Sequence, residues 1–100
     1  LKALGQLLKE ARDIKGLLLR EVAAAINADT AMISKFEKGE RKPTRGQITL
    51  LAKALNIDER EILVTYLSDK VVSDLANEDF AKEALRAAEM KIDLIKKNSK

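Results

Sequence analysis

Residues 35 to 45 read KFEKGERKPTR, and five of these eleven side chains, Lys35, Lys38, Arg41, Lys42 and Arg45, are cations. Ammonium and guanidinium groups at this density make charge-assisted hydrogen bonds to anionic oxygens, which is the chemistry of polyanion binding rather than of bond making or breaking. Just upstream stand Thr30, Ala31 and Ser34, small or hydroxylic residues that continue the helical spacing of Lys35 and Lys38. Glu37 is the residue that does not fit. It sits among the cations, and a basic surface has no use for it.

Catalytic chemistry has little to work with. The chain holds no His and no Cys, which removes imidazole bases, thiolate nucleophiles, disulfides and His or Cys metal sites together. The carboxylates scatter over caps and exposed helix faces, so neither an enzyme nor a cofactor nor a metal is expected. Three aromatics, Phe36, Tyr66 and Phe80, two of them at core positions, are too few for the stacking platform that single strands or RNA require. No apolar run approaches the ~18 residues of a membrane span, and no signal-like N-terminus is visible. A cytoplasmic protein is the expectation.

The charge is unevenly placed. Residues 1 to 57 carry 11 Lys and Arg against 6 Asp and Glu, a net of +5, whereas residues 58 to 100 carry 8 against 10, a net of −2. A polyanion-binding half joined to a half with another task fits that asymmetry.

The elements that must position the cations are helices throughout. Leu4, Leu7, Leu8 and Ala11 mark a first helix ending near Gly16, and Val22, Ala23 and Ile26 the core side of a second from about Leu19. Asn27 suits the left-handed residue that ends it, Asp29 caps a third helix over 30 to 38, and Gly39 closes that one. Thr44 with Gln47 is a capping box for a fourth helix presenting Ile48, Leu51, Ala52 and Leu55. Asp58 with Glu61 starts a fifth, running to about Leu75 with an interruption expected near Ser68. Asn77 is expected to cap a last helix over 78 to 96, with Glu78 and Asp79 at its positive end and Lys96 and Lys97 at its negative end.

On a helical wheel Ile33, Phe36 and Glu37 share one side of the third helix, and Ala31, Ser34, Lys35 and Lys38 share the other. Glu37 therefore points inward, where a lone carboxylate is costly. Arg12, at the edge of the apolar face of the first helix, is the candidate partner, and a guanidinium gripping a carboxylate by two bonds also fixes the angle between two helices. The outer face suits the major groove of double-stranded DNA, whose base edges accept small hydrogen-bonding side chains: Thr30, Ala31, Ser34 and Lys35. Lys38, Arg41, Lys42, Thr44 and Arg45 follow at positions for phosphate contacts, the last two at the opening turn of a helix.

From Leu4 to Leu63 the sequence resembles the Xre/Cro-type helix-turn-helix family of phage repressors and bacterial regulators. The segments that carry the likeness are LLKEARDIKGL, LREVAAAINADTAMISKFEKGERKP and TRGQITLLAKALNID. The resemblance implies an all-α fold, a five-helix repressor-like domain with an extra C-terminal helix here, whose third helix enters the major groove. It places Thr30, Ala31, Ser34 and Lys35 on base-contacting positions, Lys38, Arg41, Lys42 and Arg45 on or near phosphate-contacting ones, and Arg12 and Glu37 on a structural ion pair. Where the family often has Ser or Thr capping the second helix, followed by Gln, this chain has Leu18 and Leu19. The missing cap costs about 1 kcal/mol, and the Gln contact to phosphate is absent.

The expected organisation is a DNA-binding domain over residues 1 to 65 and a helical extension over 66 to 100. The last helix has a stripe of Ala81, Ala84, Leu85, Ala88, Ile92 and Ile95, which Phe80, Ala87, Met90 and Leu94 widen past half the circumference. A surface helix needs only about 100° of apolar arc, so a second copy is expected to cover the excess, with Phe80, Leu85, Ala88, Met90, Ile92, Leu94 and Ile95 in a homodimer interface. Residues 59 to 97 are expected to form a hairpin that also packs on the core. The expected function is a dimeric regulator, most simply a repressor, reading an inverted-repeat operator. The alternative is an antitoxin or regulatory subunit whose C-terminal helices hold a protein partner, a toxin or another effector.

Overall fold

Six α-helices account for the described residues, 1 to 98, of the computed structural model, and no strand occurs among them. They are α1 (Leu4–Lys15), α2 (Leu19–Ala25), α3 (Thr30–Lys38), α4 (Arg45–Leu55), α5 (Glu59–Leu75) and α6 (Ala81–Asn98). None is long and apolar enough to cross a membrane.

The boundaries follow local chemistry. Asn27 adopts φ 56° after α2, and the Asp29 carboxylate accepts the Met32 N–H at 2.7 Å to open α3, so the turn between α2 and α3 is fixed at both ends. Gly39 ends α3 at φ 76°, a left-handed conformation that glycine adopts without strain. At α4, Thr44 Oγ1 accepts the Gln47 N–H at 3.2 Å and Gln47 Oε1 accepts the Thr44 N–H at 2.9 Å. Asp58 accepts the Glu61 N–H at 3.1 Å at the start of α5. At α2 only half of such a box exists. Glu21 Oε1 accepts the Leu18 N–H at 2.8 Å, but Leu18 has no acceptor to return the bond.

One core joins α1 to α5. Leu4, Leu7 and Leu8 meet Val22, Ala23, Ile26, Ile33 and Phe36, and Ile48, Leu51, Ala52, Leu55, Ile62 and Tyr66 complete it. The chain divides into two compact units, Leu1–Asp69 and the stretch from Lys70 onward. The first unit extends a turn past Tyr66 because the Asp69 carboxylate accepts the Leu4 N–H at 2.8 Å. That bond satisfies a donor in the open first turn of α1, whose N-cap residue, Ala3, offers no side-chain acceptor.

Two expectations are corrected. α5 is not interrupted at Ser68, because its hydroxyl donates to the Thr65 carbonyl at 3.0 Å and stays within the helix. The last helix starts at Ala81, not after Asn77: Phe80 has φ 65°, which no helical residue can hold, so Glu78 and Asp79 fall in the turn before the helix. Glu83 is the acidic residue of its first turn, and Lys96 and Lys97 occupy the last turn as anticipated. Within α5, Ile62 and Tyr66 are buried and belong to the core of the first unit. No residue of α6 is buried.

Candidate nucleic-acid interface

α3 carries its two faces as chemistry demands. Ile33 and Phe36 are each 2% exposed and anchor it in the core. Thr30, Ala31, Lys35 and Lys38 are exposed, while Ser34 and Met32 are half-buried at the flanks. Ser34 is thus less open than its place on the wheel implies. Pro43 is buried and pins the loop that follows, leaving Arg41, Lys42, Thr44 and Arg45 exposed around it. None of Lys35, Lys38, Arg41, Lys42 and Arg45 has an ion-pair partner among the described residues. Five charges from one helix end, one loop and one helix start are left to solvent.

Beneath this face lies the pair that involves Glu37. Arg12 Nε donates to Glu37 Oε2 at 2.6 Å and Arg12 Nη2 to Glu37 Oε1 at 3.1 Å, a two-pronged contact. The side chains are 15% and 9% exposed, so water screens them little. The hydrogen bond to Glu37 pushes the Arg12 guanidinium above its ordinary range; burial opposes this, and the charges of Glu37 and Asp13 reinforce it. Arg12 Nη1 also donates to the Leu17 carbonyl at 3.0 Å. A single guanidinium therefore ties α1 to the end of α3 and to the loop leading into α2.

Two residues that set this geometry carry little sequence signal. A Cβ on Gly5 would lie 2.7 Å from the Phe36 carbonyl oxygen and would collide with that of Glu37, so α1 touches the last turn of α3 backbone to backbone. A glycine inside an amphipathic helix was the only hint of it. Gln47, read as a capping residue, also donates to the Met32 sulfur at 3.6 Å and so links α4 to the flank of α3.

At the start of α4 the Gln47 N–H is already bound by Thr44, whereas the N–H groups of Arg45 and Gly46 belong to the open first turn. With the helix dipole behind them and Arg45 beside them, they can receive an anionic oxygen. Thr44 caps α4 through its oxygen, which accepts the Gln47 N–H, and keeps its hydroxyl hydrogen to donate. The seven side chains that sequence reasoning placed on one surface with Thr44 and Ser34 are thus carried by α3, the loop after it and the first turn of α4.

The helix-turn-helix family model matches residues 8–62 of the chain. Among solved structures, the restriction-modification controller protein C.AhdI from Aeromonas hydrophila is 36% identical, with a TM-score of 0.55 over 59% of this chain and 89% of that one. The clp gene regulator ClgR from C. glutamicum is 26% identical, with a TM-score of 0.56 over 66% of this chain and 86% of that one. No curated protein sequence matches significantly.

Proposed function

This chain belongs to the helix-turn-helix family, and on that premise we propose that it is a sequence-specific transcriptional regulator of double-stranded DNA that acts as a homodimer. α3 lies in the major groove, with Thr30, Ala31, Ser34 and Lys35 at base edges. Lys38, Arg41, Lys42, Thr44 and Arg45 grip phosphates on either side, helped by the first turn of α4. Phe80, Leu85, Ala88, Met90, Ile92, Leu94 and Ile95 supply the surface that joins two copies. Two copies present two recognition helices to successive turns of the duplex and so read an inverted repeat. Repression follows from occupying the operator.

The observation that carries this reading is the division of α3 into a buried side locked by Arg12 and Glu37 and an open side continuous with unpaired cations. The regulatory roles in the names of the two structural relatives agree with it. With Thr, Ala, Ser and Lys as the readers, direct contacts are few, and sequence-dependent shape adds to the discrimination.

Titration of duplex DNA against salt tests the proposal. Four phosphate-gripping cations per subunit predict that log K falls with log salt at a slope of about −3 to −4 per subunit engaged. Binding that is indifferent to salt would contradict it.

A further inference from the structure

We infer that α6 pairs antiparallel with α6 of a second copy of this chain, staggered so that Leu85 meets Ala88 and Ala81 meets Ile92. The inference rests on the homodimer proposed above and gives it an orientation and a register.

α6 runs 18 residues without one buried side chain, and Leu85, Ile92 and Ile95 stand 42%, 52% and 67% exposed. Positions 81, 85, 88, 92 and 95 follow the alternating four- and three-residue spacing of a coiled-coil seam. Met90 and Leu94 lie well around the helix from this line, so the register inferred here narrows the interface proposed above and leaves these two outside it. Along the seam the sizes alternate: Ala81, Leu85, Ala88, Ile92.

That alternation selects the orientation. In a parallel, in-register pair each residue faces its own copy, so thin Ala–Ala layers alternate with thick Leu–Leu and Ile–Ile layers. Helices held apart by the thick layers leave voids at the thin ones, and unfilled core volume is destabilising. In the antiparallel pair each layer sets a small residue on a large one: Ala81 on Ile92, Leu85 on Ala88, and both again by symmetry. The spacing between helices is then the same at these four layers, and Ile95 lies past them, opposite the turn that precedes α6.

The flanking charges agree. In the antiparallel register Lys82 of one copy lies beside Glu89 of the other, and the twofold axis repeats the pair. In the parallel register Lys91 of each copy lies beside Lys96 of the other, which places like charges together twice. Size and charge independently favour one arrangement.

Because the chain has no Cys, disulfide trapping reads the register without background. Ala81→Cys chains are mixed with Ile92→Cys chains and oxidised. Neither substitution touches the core, since Ala81 is half-buried and Ile92 exposed. In the inferred pair the two positions face each other within the reach of a disulfide, about 4.4–6.8 Å between Cα atoms, while two copies of position 92 lie ~16 Å apart along the axis. The expected product is the mixed disulfide, with little self-linked Ile92→Cys. Dominant self-linkage of Ile92→Cys would establish the parallel pair and overturn the inference. Light scattering of the unsubstituted chain separates the remaining outcomes. A dimer that yields no mixed disulfide overturns the α6 register and leaves the dimer standing, whereas a monomer at high concentration overturns both.

Discussion

Glu37 stands among cations in the sequence and turns away from them in the structure. Its carboxylate receives two hydrogen bonds from Arg12 in a place where neither side chain is more than 15% exposed. Removing one partner strands the other charge, so Glu37→Leu should cost about 3–5 kcal/mol in urea unfolding, as buried pairs do when broken. Combining it with Arg12→Met should recover a substantial part, since neither charge then remains buried. Simple addition of the two losses would show that the groups are not coupled. On the open side the roles divide differently. Lys35→Ala should flatten the preference among duplex sequences, while Arg41→Ala should weaken all duplexes alike and reduce the salt slope by about 1. Competition binding with matched and mismatched duplexes distinguishes the two. An unchanged preference in Lys35→Ala would remove α3 from the base edges.

Between elements, the approach of α1 to α3 decides how far the outer face of α3 stands out. Gly5→Ala gains about 1 kcal/mol of helix propensity, but its new methyl collides with the carbonyls of Phe36 and Glu37, which cannot move without unwinding α3. Overpacking of this kind costs about 1–3 kcal/mol, so the net change should be destabilising. Gly46→Ala is the control, since the nearest atom to its new Cβ is 4.0 Å away. A rise in melting temperature for Gly5→Ala would mean that the close approach is not held in solution.

The same contacts explain what could be read from the sequence. Caps and apolar spacing placed α1 to α5, because Asp29, Thr44 and Asp58 act on donors within three residues of themselves. The wheel brought Glu37 and Arg12 together because an inward carboxylate needs a cation. The Gly5 contact is tertiary and backbone to backbone, and its sequence trace is one small residue. The start of α6 misled for a local reason: Asn77, Glu78 and Asp79 read as a cap and an acidic first turn, yet the left-handed backbone of Phe80 postpones the helix to Ala81.

For the whole molecule, two features remain to be joined: a unit with its own core and a basic face, and a C-terminal helix with no buried residue. A dimer gives both a purpose, because one half-site holds too few readers for a regulator to find its operator among many competing sequences. Within the sequence this was visible as an excess of apolar arc. What covers that arc was not, since a helix face alone does not name its partner.

Selection of bound duplexes from a randomised pool at about 150 mM salt, where weak phosphate-only binding is screened, tests the central claim most directly. The account predicts an enriched inverted repeat with half-site centres about 10 base pairs apart or a multiple of that spacing. A pool that emerges without sequence enrichment, retained only through salt-sensitive contacts, would contradict a sequence-reading regulator and move attention to a protein partner on the C-terminal helices.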